Sequence, residues 1–290
     1  MRDAAAGEIV TPRGRKACRA RSVDCDPARQ ENVTPMAKNQ EPRTKNNFTY
    51  PGGKNGQGVF HRLINQIPPH SVYVEPFVGS GAVLRRKLPA VQSYAIDIDP
   101  GAIAALTGAV PSNTELFSCC GIAWLESADF ALQQDAFVYC DPPYLPGTRR
   151  KFPMYAHEMT ASDHARLLDV LCGLSCRVMI SGYASRLYCE RLKGWRSFSF
   201  AAMTRGNVSR REWVWCNYPS PVALHDYRFL GENYRQRENF ARQLRRWKNR
   251  LQSMPLLRRQ ALLAAIAESA RAPAVSPVVA TLGRDRRKRR

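Results

Sequence analysis

Short β-rich runs alternate with helical stretches over residues 47–218, and this alternation constrains the fold more than any other feature of the chain. It is typical of an α/β fold, a mostly parallel sheet with helices on both faces. The last two runs flank a turn that contains Gly and Asn, so they are expected to form an antiparallel hairpin at one edge. The predicted strands are VYVEPF (72–77), YAID (94–97), ELFSC (115–119), AFVYC (136–140), CRVMISG (176–182), RSFSFAAM (196–203) and EWVWCNY (212–218).

Helices are predicted in the segments between these strands. Thr160 and Asp163 have the spacing of a capping pair that begins one of them. Beyond the domain, apolar residues recur at helical spacing over 233–251 and predict an amphipathic helix that docks on the domain. Pro255 is expected to begin a further helix. The helices of the domain are predicted at 57–66, 81–88, 100–108, 122–132, 160–173 and 185–193.

The chain has a formal net charge of +20, and most of the excess lies near its C-terminal end. Residues 228–290 hold 17 basic and 4 acidic side chains, whereas residues 47–227 hold 17 and 14. A nearly neutral domain with a basic extension is typical of a protein that binds a polyanion such as nucleic acid. A solvated helix and tail without a specific partner is the alternative.

Composition excludes several classes of protein. Hydrophobic residues make up 44% of the 290 positions, enough for a core, so wholesale disorder is excluded. No uncharged apolar run approaches the roughly 20 residues that a membrane span needs, and no secretory signal is visible at the start. Nine cysteines without a C-x-x-C pair favour reduced cytoplasmic thiols, and no metal site is expected.

Composition shifts divide the chain into four predicted regions. Met36 lies just before the ordered part and is hypothesised to be the true start. The first region shows no helix or strand period, so it is expected to be disordered. The regions are a disordered extension (1–46), the α/β domain (47–219), a basic helical extension (220–271) and a disordered basic tail (272–290).

The segment V-E-P-F-V-G-S-G-A-V-L (74–84) follows a predicted strand and is expected to open a helix. Gly79 and Gly81 allow a sharp turn and a close approach of backbone to a ligand. Asp97 ends the next strand 18 residues after Gly79, where an acid accepts hydrogen bonds from the ribose of an adenosine-containing cofactor. A tight turn, and a solvated loop with a helix cap at Asp99, are the alternatives. Together the two signals favour a nucleoside cofactor.

The segment D-P-P-Y (141–144) follows a central strand, at the edge where open α/β sheets bind ligands. Its prolines fix an extended turn that offers two acceptors, the Asp141 carboxylate and the Pro142 carbonyl, while Tyr144 offers a flat face. Two acceptors that bind the hydrogens of an exocyclic amino group would localise the nitrogen lone pair for attack on a methyl group. Tyr144 would stack on a base that has left the duplex. A proline-stabilised turn with a surface tyrosine is the alternative.

A third segment, F-T-Y-P-G-G-K (48–54), precedes the first strand. Its two glycines permit close backbone approach, Tyr50 supplies a stacking face and Lys54 a cation. Alone it would indicate only a turn, but ahead of the other two motifs it is interpreted as a second wall of the cofactor site.

The order F-x-Y-P-G-G-K, E-P-F-V-G-S-G, D-I-D, D-P-P-Y resembles that of the Dam-like, alpha-group DNA adenine N6-methyltransferases, especially compact phage-type ones, over about 47–219. The resemblance implies a Rossmann-like methyltransferase sheet with S-adenosyl-L-methionine as methyl donor. It implies a catalytic turn formed by Asp141, Pro142 and Tyr144. The positions that match donor-binding positions of the family are Tyr50, Lys54, Glu75, Gly79, Gly81, Asp97 and Asp141.

The sequence departs from this family in two places. Larger members carry a target-recognition domain between the acid after the glycine motif and D-P-P-Y, but here Asp97 and Asp141 are only 44 positions apart. Many relatives also have an acid near 118–122 that contacts the donor's adenine, and this chain has none. Base readout is therefore assigned to the loop 145–155, the hairpin tip and the C-terminal arm. The expected nucleic-acid contacts are Arg149, Arg150, Lys151, Arg205, Arg210 and Arg211.

The sequence thus predicts a site-specific methyltransferase that acts on the N6 amino group of adenine in duplex DNA, with the target base flipped out. An RNA adenine methyltransferase and a non-catalytic nucleic-acid-binding relative are the alternatives. A cytosine N4 enzyme is a third, although such enzymes usually carry Ser in place of Asp141. The expected protein is a cytoplasmic monomer encoded by a bacterium, phage or prophage. A restriction–modification role is open, and no cognate nuclease is identified.

Overall fold

A seven-stranded sheet organises residues 58–127, 135–146, 157–203 and 209–271, which are the residues that the computed structural model of the chain describes. These residues belong to one compact unit, Asn47–Arg290. All seven predicted strands are present. They are β1 (Val72–Glu75), β2 (Gln92–Asp97), β3 (Thr114–Ser118), β4 (Ala136–Cys140), β5 (Arg177–Gly182), β6 (Arg196–Met203) and β7 (Ser209–Cys216).

The order of strands across the sheet is β3-β2-β1-β4-β5-β7-β6. The pairs among β1 to β5 are parallel, while β7 runs antiparallel between β5 and β6. Every residue of β4 is buried, as expected for a central strand with both faces covered. The expected mostly parallel sheet with an antiparallel edge hairpin is therefore confirmed.

Helices cover both faces of this sheet. The capping pair of Thr160 and Asp163 is confirmed as a reciprocal capping box at the start of α4, with the Asp163 amide donating to Thr160 Oγ1 at 3.1 Å. Of the helix predicted at 122–132, the last residues lie outside the described residues. The helices are α1 (Val59–Ile64), α2 (Pro100–Leu106), α3 (Gly121–Ser127), α4 (Ala161–Gly173), α5 (Arg186–Arg191), α6 (Tyr234–Ser253) and α7 (Leu256–Arg271).

The helix predicted over 81–88 is wrong, because this segment forms a series of turns. A regular helix would direct the Leu84 amide to the carbonyl of Ser80, four residues earlier. Instead, the Leu84 amide donates to the buried carboxylate of Glu75 at 3.2 Å. The Glu75 side chain thus replaces the first bond of the predicted helix, while isolated bonds of helical spacing remain farther on, such as that from the Arg85 amide to the Gly81 carbonyl at 2.9 Å.

The chain after β7 returns across the domain before it enters the C-terminal helices. Asp226 is fully buried, and its carboxylate accepts the Leu88 amide at 3.0 Å and the Arg228 guanidinium at 2.8 Å. By contrast, no residue of α6 is buried among the residues that the structure describes, and Leu244 and Trp247 are exposed. Near the start of the helix the Arg237 side chain lies close to Gly58, so the expected docking is seen there but does not cover the apolar face of the helix. Within the described residues, neither α6, α7 nor any other helix is both long and apolar enough to cross a membrane.

Gly121 is where α3 passes closest to the chain that follows β1. A Cβ atom at this position would lie 2.1 Å from the carbonyl oxygen of Pro76, which no side chain tolerates. We expect Gly121→Ala to lower the free energy of unfolding by about 1–3 kcal/mol or more, because α3 must move away from the sheet. Denaturation in urea measures this change.

The matched control is Gly173→Ala at the end of α4, where an added Cβ would meet nothing within 4 Å. Alanine is the better helix former, so this variant should be unchanged or more stable by up to about 0.5–1 kcal/mol. Equal stability of Gly121→Ala and the unmodified protein would contradict the close contact.

Candidate active site

The ends of β1, β2 and β4 lie side by side at the carboxyl edge of the sheet. Parallel neighbours bring Glu75, Asp97 and the turn that begins at Asp141 to one cavity, which measures about 1040 Å³ including its open mouth. The sheet therefore assembles residues from three separate sequence motifs.

The glycine motif forms one wall of this cavity. Gly79 and Gly81 have φ angles of +48° and +62°, in the left-handed region that favours glycine. A Cβ at Gly81 would also lie 3.0 Å from the Leu106 side chain, so the turn has little room for a larger residue. The expected role of both glycines in a tight turn is consistent with this geometry.

Asp97 connects the glycine turn to the end of β2. Its carboxylate accepts the Gly79 amide at 2.8 Å and the Asp99 amide at 3.0 Å, one on each oxygen. Burial raises the pKa of Asp97 above its usual range. Each oxygen has a second lone pair, which suits the two hydroxyls of a ribose. Asp99, in contrast, caps α2 by accepting the Gly101 amide at 2.8 Å.

Glu75 is a buried carboxyl group in the floor of the cavity. It accepts the Tyr73 hydroxyl at 2.8 Å as well as the Leu84 amide. Burial raises the pKa of Glu75 to about 8. The nearby Asp141 carboxylate contributes to this increase, and the hydrogen bond from Tyr73 opposes it. A cationic ligand in the cavity would favour the ionised form of this group.

The turn D-P-P-Y begins directly after β4. The Asp141 carboxylate accepts a hydrogen bond from Ser181 Oγ at 2.9 Å, and Asp141, Pro142 and Pro143 line the cavity. Ser181 is fully buried near the end of β5, and its hydroxyl lies 3.1 Å from that of Tyr139. Asp141 is thus held at the mouth by the neighbouring strand. The sequence did not indicate Ser181, because no sequence motif connects it to Asp141, which lies 40 positions earlier in the chain.

Tyr144 closes the turn and is only 8% exposed. Its hydroxyl donates to Glu212 Oε1 at 2.6 Å, and its ring meets that of Tyr183 edge-on, with centroids 4.5 Å apart and an interplanar angle of 62°. The Arg210 guanidinium lies 5.4 Å from the Tyr183 ring centroid. Sequence reasoning missed Glu212 and Tyr183, since both lie on other strands or their ends.

The structure places only some of the predicted residues. Arg210 and Arg211 lie at the start of β7, and Arg211 donates to Ser199 Oγ at 3.1 Å. The segment F-T-Y-P-G-G-K (48–54), residues 147–156 after D-P-P-Y and the hairpin tip 204–208 lie outside the described residues. The predicted residues that fall there are Tyr50, Lys54, Arg149, Arg150, Lys151 and Arg205.

The chemistry of the cavity fits the expected methyl donor. Five acidic residues and one arginine line this space, an excess of carboxyl groups that suits a ligand with positive charge, and Asp97 offers acceptors to a ribose. Apolar side chains such as Ile98, which is 48% exposed, and Ile122 provide surface for a purine ring. At the position where relatives carry an adenine-contacting acid, the cavity is lined by Cys120 and Gly121.

Several solved methyltransferase structures resemble about half of this chain at low identity. A SAM-dependent methyltransferase from Agrobacterium tumefaciens is 12% identical, with a TM-score of 0.37, and 55% of this chain spans 60% of that one. An rRNA methylase from Streptococcus thermophilus is 16% identical, with a TM-score of 0.35 and coverage of 54% and 93%. TrmN from Thermus thermophilus is 17% identical, with a TM-score of 0.38 and coverage of 54% and 46%. No curated protein matches the chain.

Residues 125–203 match the family model of the D12 class N6 adenine-specific DNA methyltransferases. The matched segment contains β4, the complete D-P-P-Y turn, β5 with Ser181, and β6. This match agrees with the predicted adenine-specific DNA methyltransferase over this segment of the chain.

Proposed function

We propose that this chain methylates the N6 amino group of adenine in duplex DNA, at a site formed by the glycine turn, Asp97 and the D-P-P-Y turn. The observation that carries the proposal is the position of the Asp141 carboxylate, which accepts a hydrogen bond from Ser181 and lines the cavity. Asp97, whose carboxylate could accept the hydroxyls of a ribose, lines the same cavity. An amine acceptor and a nucleoside site thus share one space.

The residues of the cavity would hold S-adenosyl-L-methionine, which supplies an electrophilic methyl group when bound. Asp97 would accept the ribose hydroxyls, and the backbone at Gly79 and Gly81 would approach the donor closely. Glu75 would face its positively charged methionine part. Tyr50 and Lys54, from the motif before β1, would complete the donor site.

Asp141 and Pro142 would act on the adenine amino group. The Asp141 carboxylate and the Pro142 carbonyl would each accept one amino hydrogen, which localises the nitrogen lone pair toward the methyl group. Ser181 keeps the carboxylate aimed, so little reorganisation is needed when the base arrives. Tyr144 would stack on the adenine after it leaves the duplex.

The DNA backbone would contact basic residues outside the cavity. Helix α6 carries seven basic side chains and one acidic side chain, and residues 242–250 are all exposed. Arg210 and Arg211 lie where β7 begins, at the same edge of the sheet as the cavity. Further contacts would come from Arg149, Arg150, Lys151 and Arg205. Such contacts fix the position of the duplex and make binding salt-dependent.

We infer that the enzyme is of the compact phage type and works in the cytoplasm as a monomer. Between Asp97 and Asp141 the described residues form α2, β3, α3 and β4, which leaves target readout to the loops at the catalytic edge and to the C-terminal extension. Protection against a cognate restriction nuclease and regulatory marking of DNA are both compatible with this activity.

Asp141→Ala should lower the rate of methyl transfer by on the order of 10²–10³ or more, because an acceptor for the developing charge is lost. Binding of DNA should be largely retained, since phosphate contacts do not involve this residue. The assay is incubation of unmethylated genomic DNA with the donor, followed by modification-sensitive sequencing.

Asp169→Asn, an exposed carboxylate paired with Arg191, is the control and should retain full activity. RNA of matched sequence is assayed in parallel. Preferred transfer to RNA, or no transfer by the unmodified protein to any nucleic acid, would overturn the proposed function.

Binding of the donor should depend on the ionisation of Glu75, whose pKa is about 8 without ligand. Below this value the carboxyl group is mostly protonated, so its attraction for a cationic ligand grows as the pH rises. We expect the Kd for S-adenosyl-L-methionine to fall about three- to tenfold between about pH 7 and pH 9, relative to Glu75→Gln. Calorimetric titration at several pH values measures it, and parallel profiles of the two proteins would contradict the assignment.

Arg245→Gln with Arg246→Gln tests the contact of α6 with phosphate. Each lost contact should reduce the slope of log K against log salt by about 0.9, so the double variant should lose up to about 1.8. The control, Arg191→Gln with Lys193→Gln, removes the same charge where α5 ends, at the opposite edge of the sheet. Fluorescence anisotropy of labelled duplex over a salt series gives both slopes, and equal slopes would exclude α6 from the interface.

A further inference from the structure

A hydrogen bond from Tyr144 to Glu212 connects the D-P-P-Y turn to a strand that no motif includes. The hydroxyl and Glu212 Oε1 are 2.6 Å apart, within the range of bonds from a hydroxyl to a carboxylate. Glu212 is 4% exposed, so the bond is shielded from water. The two residues are 68 positions apart in the chain.

The fold alone does not call for a carboxylate at this position. Along a strand, alternate residues share a face, so Glu212 stands in line with Val214 and Cys216, which are both fully buried and apolar. On the paired strand, Phe200 lies opposite Glu212 and is also buried. An apolar residue would suit this face, because a buried carboxylate costs free energy unless it is hydrogen-bonded.

The bond restrains the hydroxyl end of the Tyr144 side chain, while a neighbouring ring contacts its face or edge. Edge-on contact with Tyr183 limits the tilt of the Tyr144 ring. The hydrogen bond at the far end of the ring limits its swing about the side-chain torsions. Together they fix the plane of the ring before any base arrives, and a surface that stacks on a reactant gains from such preorganisation.

We propose that Glu212 is a positioning residue for methyl transfer, which acts through Tyr144 by holding its ring in the plane that receives adenine. The proposal rests on the proposed function and deepens it. Glu212 itself contacts neither base nor donor. Its effect is therefore expected on the rate of transfer from the complete complex and not on the affinity for the donor.

The test compares Glu212→Leu, Glu212→Gln, Tyr144→Phe and the double variant Glu212→Leu with Tyr144→Phe. Glu212→Leu and Tyr144→Phe should each lower kcat by roughly tenfold or more, with the KM for the donor unchanged. The double variant should be no slower than the slower single variant, because both remove the same bond. Glu212→Gln keeps an acceptor and should recover part of the rate.

Stability is measured alongside, since a merely structural role would show there. Glu212→Leu should unfold at the same or a higher urea concentration than the unmodified protein, while its kcat is reduced. The control is Glu115→Gln, because Glu115 is an exposed strand carboxylate whose partner, Gln92, is remote from the turn. It should leave kcat unchanged.

The outcomes separate this proposal from the one on which it rests. Transfer by the unmodified protein, together with a normal kcat for Glu212→Leu or with additive losses in the double variant, would overturn the positioning role alone. An unmodified protein that transfers no methyl group to DNA would overturn both.

Discussion

The buried carboxyl group of Glu75 determines how the chain enters its active site. It ends β1 and binds the Leu84 amide, which a helix beginning at residue 81 would direct to the Ser80 carbonyl. The same group accepts the Tyr73 hydroxyl and lies in the floor of the cavity beside Asp141. A carboxyl group at this depth is unfavourable unless it is hydrogen-bonded, and here the Leu84 amide and the Tyr73 hydroxyl both donate to Oε2. The shape and the charge of the cavity therefore have a common origin.

The sequence predicted the parts of the fold that depend on local pattern. Short β-rich runs indicated all the strands, and the turn between the last two indicated the hairpin. The helix at 81–88 was wrong, and one of its backbone amides, that of Leu84, binds Glu75 through a side-chain contact that periodicity does not register. Likewise, a helical repeat in α6 indicated an apolar stripe but not whether the domain offers a surface to cover it.

The candidate site divides in the same way. Glycines that need a left-handed backbone and an acid at a strand end have local signatures, so Gly79, Gly81 and Asp97 were found before the structure. Ser181 and Glu212 have none, because each matters only through a partner on another strand. Such supporting residues become visible when the sheet order places β5 and β7 next to each other.

Because β7 lies between β5 and β6, the sheet can be completed only after the last of its strands has been synthesised. A ribosome releases β5 and β6 before β7, so the two earlier strands cannot yet be bridged. A nascent chain that ends before residue 209 already contains every signature motif, yet it lacks the strand that carries Glu212. Such a chain would therefore hold the motifs next to a sheet that still lacks the strand between β5 and β6.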